Sequence, residues 1–300
     1  MSTSSLLEPV PGVEPTKGGY YLWRYLPNKA AAAIFLILFL GSFLFMSWKI
    51  WRTRARFCIV FAVGCLCKCF GRETASPPFL FTNLNPIVEV IGYGSRISAH
   101  DKTGKIFPYA IQNMFIIVAP VLFAASIYMV LGRIITSVNA EKYSLIRPSK
   151  LTLTFVLGDV VSFVIQGGAS GLMVIQKPGF ATWGERVIII GLVVQIVMFG
   201  LFCAIAAIFH RRMRRAPTVE SLNGLVPWEQ SLYMLYAVSL LIMIRSIFRV
   251  VEFAQGYTGY ALSHEWTLYI FDSLLMWIVT VLFAWKFPSD LEPKKDIALV

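Results

Sequence analysis

Apolar residues in this chain gather into long runs separated by short polar and basic connections. A run that is apolar on every side over about 20 residues suits a helix crossing a hydrocarbon core of ~30 Å, not one face of a water-soluble helix. Ala30–Trp48, Tyr109–Leu131, Leu151–Ile175, Val187–Phe209, Ser231–Gln255 and Glu265–Phe287 all read this way. One further span, second in chain order, begins near Phe57 and is broken. Phe57–Leu66 is apolar, and Glu89-Val-Ile-Gly-Tyr-Gly-Ser-Arg96 has the character of a span's end. Between them Cys67–Val88 carries Lys68, Arg72, Glu73, Pro77 and Pro78. Charges are costly at the membrane centre and paired prolines break helices. Removing Cys67–Val88 would join the halves into one ordinary span, so it reads as an insertion of the kind a retained intron leaves. The alternatives are a loop to one side of the membrane, or a split or re-entrant second helix.

The basic residues set the orientation, because connections rich in Lys and Arg stay in the cytoplasm. Lys49, Arg52, Arg54 and Arg56 follow the first span, Arg133, Lys142, Arg147 and Lys150 the third, and Arg211, Arg212, Arg214 and Arg215 the fifth. Lys286, Lys294 and Lys295 lie beyond the seventh. The opposite side holds fewer: Lys17, Arg24, Lys29, Arg96, Lys102, Lys105, Lys177 and Arg186. The expected fold is all-α, a seven-transmembrane helical bundle with its N-terminus outside and its C-terminus in the cytoplasm. Residues 1–29 form an outer tail, 30–287 the bundle with the atypical insertion 67–88, and 288–300 a cytoplasmic tail. The polar, proline-bearing start argues against a cleaved signal peptide.

Composition fits this picture and narrows it. The 300 residues are 57% hydrophobic and only 14% charged, against about 25% charged in a soluble domain. The net charge of +11 is spread over short clusters between apolar runs. That pattern excludes a nucleic-acid surface, and the run His210–Arg215 is expected to be a topology determinant after the fifth span. Four of the five cysteines lie between Cys58 and Cys69 without zinc-site spacing, and they read as reduced cysteines without a role. The three histidines, His100, His210 and His264, fall on opposite membrane faces and cannot share one metal. With no G-x-S-x-G elbow and no phosphate loop, neither an enzyme, a metal nor a cofactor is expected.

Ionisable residues inside the spans mark function or a required internal pair. The fourth span holds Asp159 and Gln166 on nearly one face, followed by Gly167-Gly-Ala-Ser-Gly171, whose spacing suggests close helix packing. Arg245, Arg249 and Glu252 form a stripe on the sixth span, and Glu265, Tyr269 and Asp272 form one on the seventh. These two spans are antiparallel, joined by an outer turn with Gly256, Gly259 and His264. At ~1.5 Å rise per residue Arg249 and Asp272 reach similar depth, so an Arg249–Asp272 ion pair is expected, with Glu252 and Glu265 nearer the outer rim. Such a pair serves either a substrate path or a structural clamp.

These residues also carry a family likeness. The chain resembles the fungal lipid-translocating exporter family, RTA-like proteins associated with 7-aminocholesterol resistance and sphingoid long-chain-base export. The likeness covers roughly Ala30 to Pro288. It rests on Glu89-Val-Ile-Gly-Tyr with Arg96, Ala119-Pro120, Ala125, Tyr128 and Leu131-Gly-Arg133. Gly158-Asp159, Gln166 and Gly167-Gly168 follow, then Ile244-Arg-Ser-Ile-Phe-Arg-Val-Val-Glu252, Gln255-Gly256, Glu265, Tyr269, Phe271-Asp272 and Pro288. Cys67–Val88 interrupts what the family keeps as one helix.

The resemblance implies a fungal plasma-membrane protein that moves or resists amphipathic lipids. Its partners would be membrane lipids, including sphingoid bases or other cationic amphiphiles, which Glu89, Asp159, Glu252, Glu265 and Asp272 would neutralise along a polar path. Two other readings stand beside it. One is a seven-helix receptor or lipid-stress sensor, although a D-R-Y-type sequence is missing at Leu131-Gly-Arg-Ile134. The other is a structural membrane protein that alters the bilayer indirectly.

Overall fold

The computed structural model describes residues 13–15, 21, 23, 25–52, 90–94, 96–97, 106–174, 180–222, 228–256 and 259–285. Every membrane-length element among them is helical, and no strand occurs. In chain order these are α1 (Lys29–Arg52), α2 (Ile106–Ser137), α3 (Pro148–Val174), α4 (Phe180–Arg215), the short α5 (Val219–Leu222), α6 (Trp228–Ala254), the short α7 (Tyr260–Ser263) and α8, spanning Glu265–Trp285. A helical stretch at 90–94 and 96–97 packs with them. Five described helices are long and apolar enough to cross a membrane: α2, α3, α4, α6 and α8. α1 contributes a shorter apolar stretch, Lys29–Phe45. Of the interrupted second span, residues 57–89, including Cys67–Val88 and Glu89, lie outside the described residues.

Several helix ends, those of α1, α2 and α4 on both sides, run past the apolar runs, because hydropathy marks the bilayer and not the hydrogen-bonded helix. α4 starts ahead of Val187 and continues through the basic run to Arg215, so that run is the helix's last turns instead of a connection. Arginine is a good helix former, and its charge suits the negative C-terminal end of the helix dipole. Thirty-six residues span ~54 Å, so α4 extends well beyond the hydrocarbon. Local chemistry fixes other ends. Asn28 caps α1, its Oδ1 accepting the amides of Ala30 at 2.9 Å and Ala31 at 3.4 Å. Pro148 opens α3, where its missing N–H costs nothing. Gly256 follows α6 with φ of 72°, the left-handed conformation that terminates helices at glycine. Its N–H donates to the Phe253 carbonyl at 3.1 Å.

The bundle's outer faces are apolar and its interior holds the polar groups. Leu153, Leu157, Val161 and Val164 of α3, Ile190, Val193 and Val197 of α4, and Leu240, Ile247 and Val251 of α6 point outward. Asp159, Ser162, Gln166, Gln195, Arg245, Ser246, Glu252 and Asp272 are buried. Water would reverse this arrangement, whereas hydrocarbon imposes it by leaving polar groups no partner outside. The chain is a multi-pass membrane protein. Its apolar core runs from Phe123, Ile127 and Leu131 of α2 through Phe202, Phe209 and Met213 of α4 to Leu235 and Val238 of α6. Pro120 sits inside α2, a placement membrane helices tolerate because neighbours satisfy the freed backbone.

Close helix approach occurs elsewhere than expected. Gly167 and Gly168 are exposed, with open space where a side chain would project. They follow Gln166, which faces α4, and the helical turn of ~100° per residue carries them away from that contact. α3 and α4 instead approach at Gly158 and Gly191. A Cβ on Gly158 would meet Met198 Cε at 2.7 Å, and one on Gly191 would meet Gln166 Cγ at 2.9 Å and the Ser162 carbonyl at 3.3 Å.

Candidate functional site

Three adjoining groups of polar side chains form a column in the bundle, and a fourth lies beside it. The first surrounds Arg96, which is fully buried. Its Nη2 donates to Glu265 Oε1 at 2.6 Å and to the Tyr25 hydroxyl at 3.0 Å, and its Nε donates to the Tyr269 hydroxyl at 3.1 Å. The rings of Trp23, Tyr25 and Tyr269 lie 5.4–5.7 Å from the guanidinium carbon, close enough for cation–π attraction. Glu265 also accepts the Asn28 amide at 3.0 Å. One arginine thus ties the segment before α1, the stretch at 90–97 and the start of α8. Tyr93 stacks with Phe35, Phe39 and Tyr269, and its hydroxyl bonds that of Ser273.

The second group joins α6 to α8. Arg249 Nη2 donates to Asp272 Oδ2 at 2.7 Å, and Arg249 Nη1 donates to Glu252 Oε2 at 2.8 Å. Arg245 Nε reaches the other Asp272 oxygen. Asp272 therefore serves two arginines, where depth alone suggested one. Two cations and two carboxylates make the cluster neutral, as a buried ionic group must be to avoid an uncompensated charge. Asp272 lies in a π-helical turn, Tyr269–Leu274, between the α-helical parts of α8. Such wide turns concentrate at functional sites. Tyr269, Asp272 and Ser273 are all buried there.

Beside this cluster α3 and α4 present paired amides, Gln166 Nε2 donating to Gln195 Oε1 at 3.1 Å. Gln166, Gln195, Arg245, Ser246 and Arg249 line a cavity of ≈ 20 Å³ together with Pro120, Leu192 and Phe253. That is room for about one water centre, which needs ~10–15 Å³, and its polar walls offer such a water hydrogen bonds.

The fourth group stands apart. Asp159 of α3 is 1% exposed. Its Oδ2 accepts the Tyr128 hydroxyl of α2 at 2.8 Å, and its Oδ1 has no partner. Among the described residues no cation pairs with it. Tyr128 packs in an aromatic cluster with Phe155, Phe199 and Phe202, its ring centroid 4.5–6.2 Å from theirs.

The structure thus gathers Arg96, Glu265 and Tyr269 into one group and Arg245, Arg249, Glu252 and Asp272 into a second. Gln166 adjoins the second, and Asp159 is separate. Glu89 lies outside the described residues. Tyr25, Tyr93, Gln195 and Ser273 belong to the column without having been singled out by charge. Gln195 carried a usable signal, a lone amide within an otherwise apolar run.

The family model described as RTA1 like protein matches residues 84–295. The chain is 35% identical over 278 residues to Protein RTA1 of Saccharomyces cerevisiae, covering 91% of this chain and 86% of that one. It is 32% identical over 284 residues to Protoporphyrin uptake protein 1 of the same species, covering 90% and 92%. It is 28% identical over 231 residues to the Sphingoid long-chain base transporter RSB1 of that yeast, covering 65% and 60%. No solved structure matches. With a family model matched over most of its length and full-length relatives above 30% identity, the chain belongs to the RTA1-like family of membrane proteins.

Proposed function

We propose that this chain is a transporter of amphipathic lipids, with sphingoid long-chain bases as the leading substrate class, and not an enzyme. It would reside in the plasma membrane as seven spans, its N-terminus outside and its C-terminus in the cytoplasm. The observation that carries this reading is the polar column itself, enclosed in a bundle whose outer faces are apolar. An amphiphile moved across a bilayer needs a hydrated or charged route for its headgroup while its tail remains in hydrocarbon. The Arg96 group, the Asp272 cluster, the Gln166–Gln195 cavity and Asp159 mark such a route between helices. The relative named for sphingoid long-chain-base transport supports the substrate class.

A second substrate reading has its own support. The relative named for protoporphyrin uptake aligns over most of both chains, and Arg245 and Arg249 line the cavity. Anionic carboxylates would find their natural partners there.

Fungal cells lacking related exporters, carrying vector or wild-type chain, separate the readings. Release of a labelled long-chain sphingoid base that rises with wild type is the expected result. Uptake of protoporphyrin without base release would favour the second reading. No change in either, with the protein verified at the surface, would refute transport and leave a sensor that acts through a partner.

A further inference from the structure

Resting on the transporter reading, we propose that Asp159 is a mid-membrane proton-binding carboxyl that exchanges its proton for the cationic headgroup of the substrate. Among the described residues the other carboxylates inside the bundle already hold cations. Asp272 holds Arg245 and Arg249, Glu252 holds Arg249, and Glu265 holds Arg96. A substrate cation at any of these would have to displace a guanidinium. Among the described residues Asp159 has no such competitor.

Among the described residues no positive charge pairs with it to keep it ionised. The titratable group in contact with it among those residues is Tyr128 of α2, with Cys203 of α4 beside Ser239 of α6 beyond that ring, while Arg133 of α2 and Glu185, Arg186 and His210 of α4 lie nearer the helix ends. The arginines of α6 are bound within the Asp272 cluster. A carboxylate enclosed without a cation takes up a proton instead of remaining charged. Tyr128 supplies one hydrogen bond to Oδ2, and the unpartnered Oδ1 is the place for that proton. Asp159 lies eleven residues into α3, ~16 Å along its axis, which places it deep in a hydrocarbon core of ~30 Å.

A polar file leads away from it. Asp159, Ser162 and Gln166 occupy one face of α3 at i, i+3 and i+7. Ser162 is fully buried and its hydroxyl also has no partner. Gln166 opens onto the water-sized cavity. The exchange balances simply. The neutral acid loses H⁺ to this file, the remaining carboxylate pairs with the incoming ammonium, and no other bond changes. Both carrier states, acid and ion pair, are neutral at this position. The aromatic rings of Tyr128, Phe155, Phe199 and Phe202 adjoin the site and have faces that attract organic cations.

The test uses the purified full chain in proteoliposomes and a fluorescent long-chain base bearing a permanent trimethylammonium group, which cannot cross as a neutral amine. A membrane-impermeant quencher reads the fraction in each leaflet. One-for-one exchange predicts that a pH difference of one unit drives about a tenfold leaflet ratio with wild type, without dependence on membrane voltage, and none with Asp159→Asn. Infrared spectra of the same preparations should show a protonated-carboxyl band that Asp159→Asn removes and that weakens when the probe is added. Wild-type movement indifferent to the pH difference, gradient-driven movement by Asp159→Asn, or a missing carboxylic-acid band would overturn the exchange while leaving transport standing. Absence of any wild-type movement would overturn the transporter reading and the exchange with it.

Discussion

Removing the Asp272 charge should unbalance the α6–α8 cluster, and a second substitution should repair it. In wild type, Arg245 and Arg249 face Asp272 and Glu252, giving no net charge in a site where Arg245, Glu252 and Asp272 are each less than a tenth exposed. Asp272→Asn leaves one guanidinium uncompensated. Breaking a buried pair from one side costs about 3–5 kcal/mol, whereas replacing both partners with groups of similar volume is often nearly neutral. Arg249 keeps Glu252 at 2.8 Å after Asp272 is lost, so Arg245 is the charge to remove. The double variant Asp272→Asn/Arg245→Met restores neutrality and should lose no more than about 1–2 kcal/mol, a coupling of at least about 2 kcal/mol. Reversible unfolding in mixed micelles, titrated with a denaturing detergent, gives the free energies for wild type, both single variants and the double. If the double is destabilised by the sum of the singles, charge balance is not what holds this cluster together.

Other outcomes follow from single contacts. Gly191→Ala places a methyl 2.9 Å from Gln166 Cγ and 3.3 Å from a backbone carbonyl, so it should destabilise the α3–α4 pair by about 1–3 kcal/mol, read by the same titration. Gly191→Ser should do no better, while Gly167→Ala, which meets open space, should be silent. Tyr128→Phe deletes the hydroxyl that bonds Asp159, leaves a buried carboxyl oxygen unsatisfied, and should cost about 1–3 kcal/mol. Pairing it with Asp159→Leu should recover most of that loss, and failure to recover would show that the hydroxyl acts through something else. Trp23→Ala removes one of the rings near Arg96 and should lower stability by about 0.5–2 kcal/mol, with no added effect when Arg96 has already been changed to Met.

The sequence carries the helices plainly because the bilayer demands long apolar runs, and each of the six uninterrupted runs coincides with a described helix to within two residues at its C-terminal end or lies inside it. Their ends were less legible, since arginine-rich turns such as 211–215 are polar yet helical. Depth counting along antiparallel helices placed Arg249 level with Asp272, because rise per residue is fixed. It did not give Asp272 its second arginine, which depends on which way the π-helical turn aims the carboxylate. Nor did it join Glu265 to Arg96, a contact between segments 169 residues apart that no local periodicity encodes. The glycines misled for a related reason. Small-residue spacing shows that close packing is sterically allowed, while the burial of Gln166 decided which face of α3 was used.

Shared ionic partners between α6 and α8 also constrain how the chain enters the membrane. Each arginine at the centre of an isolated helix opposes insertion by about 2.5–3.5 kcal/mol, and an aspartate does so to a similar degree. α6 alone would present Arg245 and Arg249 to lipid, relieved only by Glu252, and α8 alone would present Asp272. Together they are neutral, and the connection from Gln255 to His264 is short enough for both to be available at once. Entry of the two as a helical hairpin would avoid both costs, whereas entry of α6 ahead of α8 would incur them. A nascent chain ending before Asp272 lacks the carboxylate that balances Arg245 in α6.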